Sequence, residues 1–92
     1  MRLVWRQEAL DDRENIMERI GQENPAAAIK LDELFESKGE SVRQQPALYK
    51  RGIAQGTREM VVTPNYYIIY TIKVDAVEML RVLHTSGNGY EG

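Results

Sequence analysis

His84 is the only histidine of the chain, and Arg81 lies close by, with Lys50, Arg51, Arg58 and Tyr67 upstream and Tyr90 downstream. Such a set can carry out one reaction without a metal: cleavage of an RNA backbone, in which the ribose 2′-hydroxyl attacks the adjacent phosphate. That reaction needs a base, an acid and cations around a pentavalent oxyanion. A histidine can serve as acid or base near neutral pH. Arg58 and Arg81 can grip a phosphate with paired N–H groups, Lys50 and Arg51 extend the positive stretch, and Tyr67 or Tyr90 can stack on a base. Each residue also has a plainer role open to it. A lone histidine closing a strand can be a hydrogen-bonded structural residue, Arg58 beside Glu59 can be a surface charge pair, and Arg81 can extend over its neighbours Met79, Leu80, Val82 and Leu83 with its head in water. Tyrosines favour strands in any case. No glycine loop suited to phosphates precedes a helix, and there is no Ser or Cys nucleophile signature.

The elements that must position these residues are readable in order. Arg2-Leu3-Val4-Trp5 is a short β-prone start. Ala9, Leu10, Ile16, Met17 and Ile20 form a helical stripe over about Gln7 to Gln22, and Gly21 marks its end. Asn24-Pro25 opens a second helix, with Asn as cap and Pro at a position where its missing N–H costs nothing. That helix runs through Leu31, Leu34, Phe35 and Val42 to about Gln45, tolerating Gly39, and Pro46 closes it. Ala47 to Gly56 reads as a loop hinged at Gly52 and Gly56. Thr57 to Thr63, Tyr66 to Ile72 and Val77 to His84 then read as three strands, the first two joined at Pro64-Asn65. The expected fold is α+β, in the order β-α-α-β-β-β: an antiparallel sheet with an N-terminal helical hairpin packed on one face. Strand Tyr66 to Ile72 is apolar on both faces, which suggests that the second face meets a partner. Residues 1–86 are expected to form the single domain and 87–92 a flexible tail.

Composition narrows the class. A chain of 92 residues with 42% hydrophobic and 28% charged side chains is globular rather than disordered. The absence of cysteine excludes disulfide and thiolate chemistry and fits the cytoplasm, and neither a membrane span nor a signal segment is present. No cofactor is expected, nor a metal, since only Glu78 stands at ligand spacing from His84. The net charge of −2 hides an asymmetry. Residues 1–45 hold 7 basic and 10 acidic side chains, whereas residues 46–92 hold 5 and 4. Gln44 to Arg58 contains basic residues and no acid, so it is either a solvated face or an anion-facing surface.

Several pieces of this chain, in this order, resemble the RelE/ParE superfamily of toxins from type II toxin–antitoxin modules. They are Leu3-Val4-Trp5 with Ala9-Leu10-Asp11-Asp12, Asn24-Pro25-Ala26-Ala27, Gln45-Pro46, and Arg51-Gly52 with Gly56-Thr57-Arg58-Glu59. Pro64-Asn65-Tyr66 with Ile69-Tyr70, and Val77-Glu78 with Leu80-Arg81-Val82-Leu83-His84, complete the set. The resemblance implies the fold already expected, growth arrest by the free toxin, a cognate antitoxin that wraps over it, and contact with operator DNA only through that antitoxin.

Two targets are compatible with the superfamily. RelE-like members cut messenger RNA on the ribosome with Lys and Arg on the middle strands and a C-terminal Arg and Tyr. In this chain Met60 and Tyr67 stand where that Lys and Arg are expected, Ser86 or Asn88 lies near the C-terminal Arg position, and Arg58 and Tyr90 remain as matches. The Leu80 to His84 ending looks instead like ParE-type members, which inhibit DNA gyrase and need no active site. Inhibition of gyrase is therefore the favoured expectation, with Lys50, Arg51, Arg58, Tyr67 and Arg81 as target contacts. The alternative is a metal-independent, ribosome-dependent endoribonuclease using His84, Arg58 and Tyr90.

Overall fold

A computed structural model of the chain describes residues 1–86. The Leu3-Val4-Trp5 run forms β1 (Arg2–Trp5), and Arg6 in extended conformation turns the chain at once into α1 (Gln7–Gly21). A short turn leads to α2 (Pro25–Gln44), where the Asn24 side chain accepts a hydrogen bond from the Ala27 amide at 3.1 Å. A cap of this kind stabilises a helix by about 1 kcal/mol. The chain then forms β2 (Lys50–Arg51), β3 (Thr57–Thr63), β4 (Tyr66–Ile72) and β5 (Ala76–His84), in a five-stranded sheet of order β1-β5-β4-β3-β2. The α+β fold with a helical hairpin on one face of the sheet is as expected. The expected tail, with Tyr90 and Asn88, lies outside the described residues.

Two features of the sheet differ from the sequence reading, and both lie at its edges. The sheet is mixed rather than wholly antiparallel, because β1 runs parallel to β5, with Leu3 opposite Val77 and Trp5 opposite Met79. Tight links force antiparallel pairing only between consecutive strands, whereas the helical hairpin and three strands separate β1 from its partner β5 and free the direction. The expected loop from Ala47 to Gly56 contains β2, whose Lys50 and Arg51 pair with Glu59 and Arg58. Two residues are too few to show periodicity.

Register settles which strand face meets the helices. Met60 lies opposite Ile68, Tyr70 lies opposite Met79, and a register shift between Ile69 and Tyr70 leaves Leu80 as the extra residue of β5. After that bulge Val82 replaces the odd-numbered residues on the helix side, where it joins Met60, Ile68, Tyr70, Val77 and Met79 in one core with Ala9, Phe35 and Val42. Full burial of such a side chain contributes roughly 1.5–3 kcal/mol relative to exposure. The Tyr70 hydroxyl donates to the Pro46 carbonyl at 2.6 Å, tying the exit of α2 to the centre of the sheet. Leu10, expected in the helical stripe, is exposed and borders a groove with Met17 and Asp32 between the two helices.

Gly39 lies within an unbroken helix for a packing reason. A Cβ there would stand 2.9 Å from Trp5 Cζ2 and 3.4 Å from Leu3 Cδ2, so the bare helix surface admits the β1 side chains. Trp5 is also held by the Arg13 guanidinium, 4.4 Å from the ring centroid and itself bidentate to Asp32. Gly39→Ala gains about 1 kcal/mol of helix propensity, yet forces a bulky ring to move at a cost of about 1–3 kcal/mol. We expect net destabilisation, with a lower melting temperature and altered fluorescence of the only tryptophan, both read in one thermal unfolding experiment.

Candidate functional site

The sequence-selected residues fall at two ends of the sheet. At one end, His84 lies opposite Tyr66 in the β4–β5 ladder. Phe35 meets Tyr66 edge-on at 5.9 Å between centroids, and Tyr66 meets His84 in the same manner at 5.0 Å. This aromatic series carries the core out to a groove of about 150 Å³ lined by Asn15, Arg19, Tyr66, Arg81 and His84 among others. His84 Nδ1 accepts the Ser86 N–H at 2.9 Å, which places the ring hydrogen on Nε2. Arg19 donates to the Tyr66 hydroxyl at 3.0 Å.

Arg81 reaches this groove but is already engaged. Its Nε and Nη2 donate to the two oxygens of Asp12 at 2.8 and 3.0 Å, and the Val82 amide donates to the same carboxylate at 2.8 Å. The hydrogen bond with Asp12 pushes the Arg81 pKa up, against the opposing effect of burial. Arg81 does not simply extend over its apolar neighbours; it is half of an ion pair joining α1 to β5.

At the other end, Arg58 lies opposite Tyr70 on β4 and Arg51 on β2. Its Nη1 donates to the Tyr49 carbonyl at 2.7 Å and to the Ala47 carbonyl at 3.4 Å. Arg58 therefore holds the segment leading into β2, and Glu59 pairs with Lys50 at 3.8 Å instead. Lys50 and Arg51 are exposed. The loop between β2 and β3 is fixed by backbone geometry: Gly56 has a φ of +80°, where a side chain would be strained, and a Cβ at Gly52 would collide with Thr57 Oγ1. Thr71 Oγ1 donates to the Gly56 carbonyl at 2.8 Å, fastening this loop to the end of β4.

These two ends do not form one centre. Tyr66, beside His84, and Tyr70, beside Arg58, are four residues apart on β4. At ~3.3 Å per residue that is about 13 Å along the strand, with two spacings of ~4.8 Å across it. Met60 is fully buried and Tyr67 is 7% exposed, so neither presents a cation or an open base-stacking surface. Among the described residues no group of three or more His, Asp or Glu could hold a metal ion. No helix there is long and apolar enough to cross a membrane. Asp12 and Arg19, which shape the groove, were not selected from the sequence, where they look like ordinary polar residues of an amphipathic helix.

Tyr70 provides a test of this arrangement. Burial pushes its phenol above the ordinary value of 10.0, with the charge of Arg58 opposing. The unfolded chain then loses this proton first, so the stabilisation is complete below about pH 10 and declines as the pH rises through the folded-state pKa. Tyr70→Phe should lower stability by about 1 kcal/mol at neutral pH through loss of the bond to Pro46. It should also flatten the alkaline decline, as thermal unfolding across the alkaline range would show.

A family model described as "ParE toxin of type II toxin-antitoxin system, parDE" matches residues 3–89. A protein of Caulobacter vibrioides named "Toxin RelE2" is 34% identical over 86 residues, covering 91% of this chain and 94% of that protein. A solved structure described as "Chromosomal ParDE TA system from P. aeruginosa" superposes with a TM-score of 0.81 over 91% of this chain and 95% of the other, at 17% identity, which speaks for the fold alone. The chain belongs to the ParE toxins of type II toxin–antitoxin systems, within the RelE/ParE superfamily, and its membership implies a cognate antitoxin as partner.

Proposed function

We propose that this toxin arrests growth by binding and inhibiting DNA gyrase, and not by cutting messenger RNA. One observation carries the reading: Arg58 lies at the opposite end of the sheet from His84, and Arg81, which shares the His84 groove, is already bound to Asp12. Acid, base and cations must act within hydrogen-bond reach of a single phosphate. Here Arg58 is bound to the carbonyls of Tyr49 and Ala47, Arg81 is bound to Asp12, and His84 lies beside Tyr66 at the far end of β4. Losing even one donor to an oxyanion costs about a hundredfold to a thousandfold in rate. The matching family model carries the ParE name and the Caulobacter relative the RelE name, so the names point in different directions and the side-chain chemistry is what supports one reading over the other.

The arrangement that remains suits recognition. A rigid, hydrogen-bonded end of the sheet carries Lys50 and Arg51 in solvent, while the helical layer holds most of the acids. A basic end on a chain of net negative charge orients the molecule toward an acidic partner. In this reading the His84 groove is structural, closing the aromatic series from Phe35.

Purified toxin should inhibit gyrase supercoiling, and its antitoxin should relieve that inhibition. His84→Gln, which keeps an acceptor for the Ser86 amide but cannot shuttle a proton, should inhibit as well as the unaltered chain. Supercoiling untouched by the toxin, with growth arrest abolished by His84→Gln in a stably folded protein, would reverse the assignment.

A further inference from the structure

We infer that the sheet end formed by the β2–β3 loop and the β4–β5 turn docks into an acidic, pocket-bearing surface of the folded target protein. This rests on reading the toxin as a binding inhibitor, and it adds which surface binds and what it fits.

The first observation is where apolar side chains face water. Ile53 is 88% exposed, Val74 101%, Leu48 66% and Ile72 37%, and these make up half of the large exposed apolar side chains of the described residues. The others, Met1, Leu10, Ile29 and Val61, are spread over the residue before β1, the helices and β3. Ile53, Ile72 and Val74 belong to one end of the molecule, and Leu48 borders it. Thr57 lies opposite Thr71, next to Ile72, and the Thr71 hydroxyl binds the Gly56 carbonyl. Ile72 itself lines a cavity of about 390 Å³ with Arg51 and the loop. Leu48 lies between the two carbonyls that hold Arg58. Apolar clusters of this kind mark interaction sites more often than chance exposure.

The second observation is that the loop is not free to fold these side chains back. The Gly52 amide binds the Thr57 carbonyl at 2.8 Å, the Thr57 amide and hydroxyl both bind the Ala54 carbonyl, and the Ile53 amide reaches Glu59 at 3.3 Å. Ile53 is therefore held outward before any partner arrives, and a preorganised anchor loses little entropy on binding.

The third observation is charge. Lys50, Arg51, Arg58 and Lys73 stand at this end, and its carboxylates are already paired: Glu59 with Lys50, Asp75 with Arg2 and Glu78 with Arg6. Among the described residues Arg51 and Lys73 make no ion pair. A nucleic acid would satisfy the cations, but single strands are bound by stacking on exposed aromatic rings. The exposed groups here are branched aliphatics, whose partners are apolar pockets of a protein. Side chains standing almost wholly in solvent act as plugs for a concave surface rather than as walls of a groove for an extended peptide.

Two double variants test this: Ile53→Ser with Val74→Ser, and Arg51→Glu with Lys73→Glu. Both sites are exposed, so the melting temperature of the toxin–antitoxin complex should be unchanged. Each variant should need about tenfold or more toxin to arrest growth, while co-purifying with antitoxin as the unaltered chain does. Arrest at the unaltered dose would overturn the inference, as would parallel loss of antitoxin capture or of binding to a polyuridylate probe. The dose for growth arrest reads this surface whichever target is hit. An unaltered toxin that arrests cells without touching gyrase would remove the gyrase reading and leave the surface to be judged by its variants.

Discussion

Strand β5 is nine residues long and its parallel neighbour β1 is four, so β5 from Leu80 onward has one edge with no strand beside it. A buried backbone amide without a partner is costly, and an open strand edge invites unwanted pairing. The carboxylate of Asp12 closes that edge by accepting the Val82 amide while clasping the Arg81 guanidinium in two parallel bonds. One acidic side chain thus fixes α1 against the sheet. Once α1 is fixed, Ile16 enters the core and Arg19 meets Tyr66, and α2 follows because the hairpin brings Phe35 onto the other side of Tyr66.

The same interaction governs what the chain can do chemically. An arginine on β5 looks available to hold a phosphate until its position beside Asp12 is known. Charge-assisted bidentate bonds are among the strongest polar contacts, and a substrate would have to displace one. At the opposite end Arg58 is likewise engaged, with backbone carbonyls as acceptors, and its work is to hold the approach to β2. Both arginines hold parts of the fold together at their ends of the sheet. What remains exposed is a rigid basic end with aliphatic side chains, a combination suited to recognition.

Much of this was legible in the sequence, and the parts that were share a cause. Asn24-Pro25 announced α2 and Pro64-Asn65 announced the β3–β4 turn, since caps and turns are local chemistry. Gly39 fits inside the helical stripe of α2, although its contact with Trp5 joins residues far apart in the chain. The direction of β1, the existence of β2 and the Asp12–Arg81 pair were not legible. Each depends on residues brought together only by the complete fold: Asp12 and Arg81 are separated by 69 positions. The face assignment of β4 also required the structure, because Leu80 bulges out of register and both faces of that strand are apolar.

Central to this account is the proposal that the toxin acts by binding a protein and does not cleave RNA. Mapping messenger RNA 5′ ends within minutes of inducing the toxin, in cells still translating, tests it most directly. The account predicts an end profile indistinguishable from that of uninduced cells during the first minutes of growth arrest. New ends at fixed positions within codons, accumulating before arrest, would contradict it.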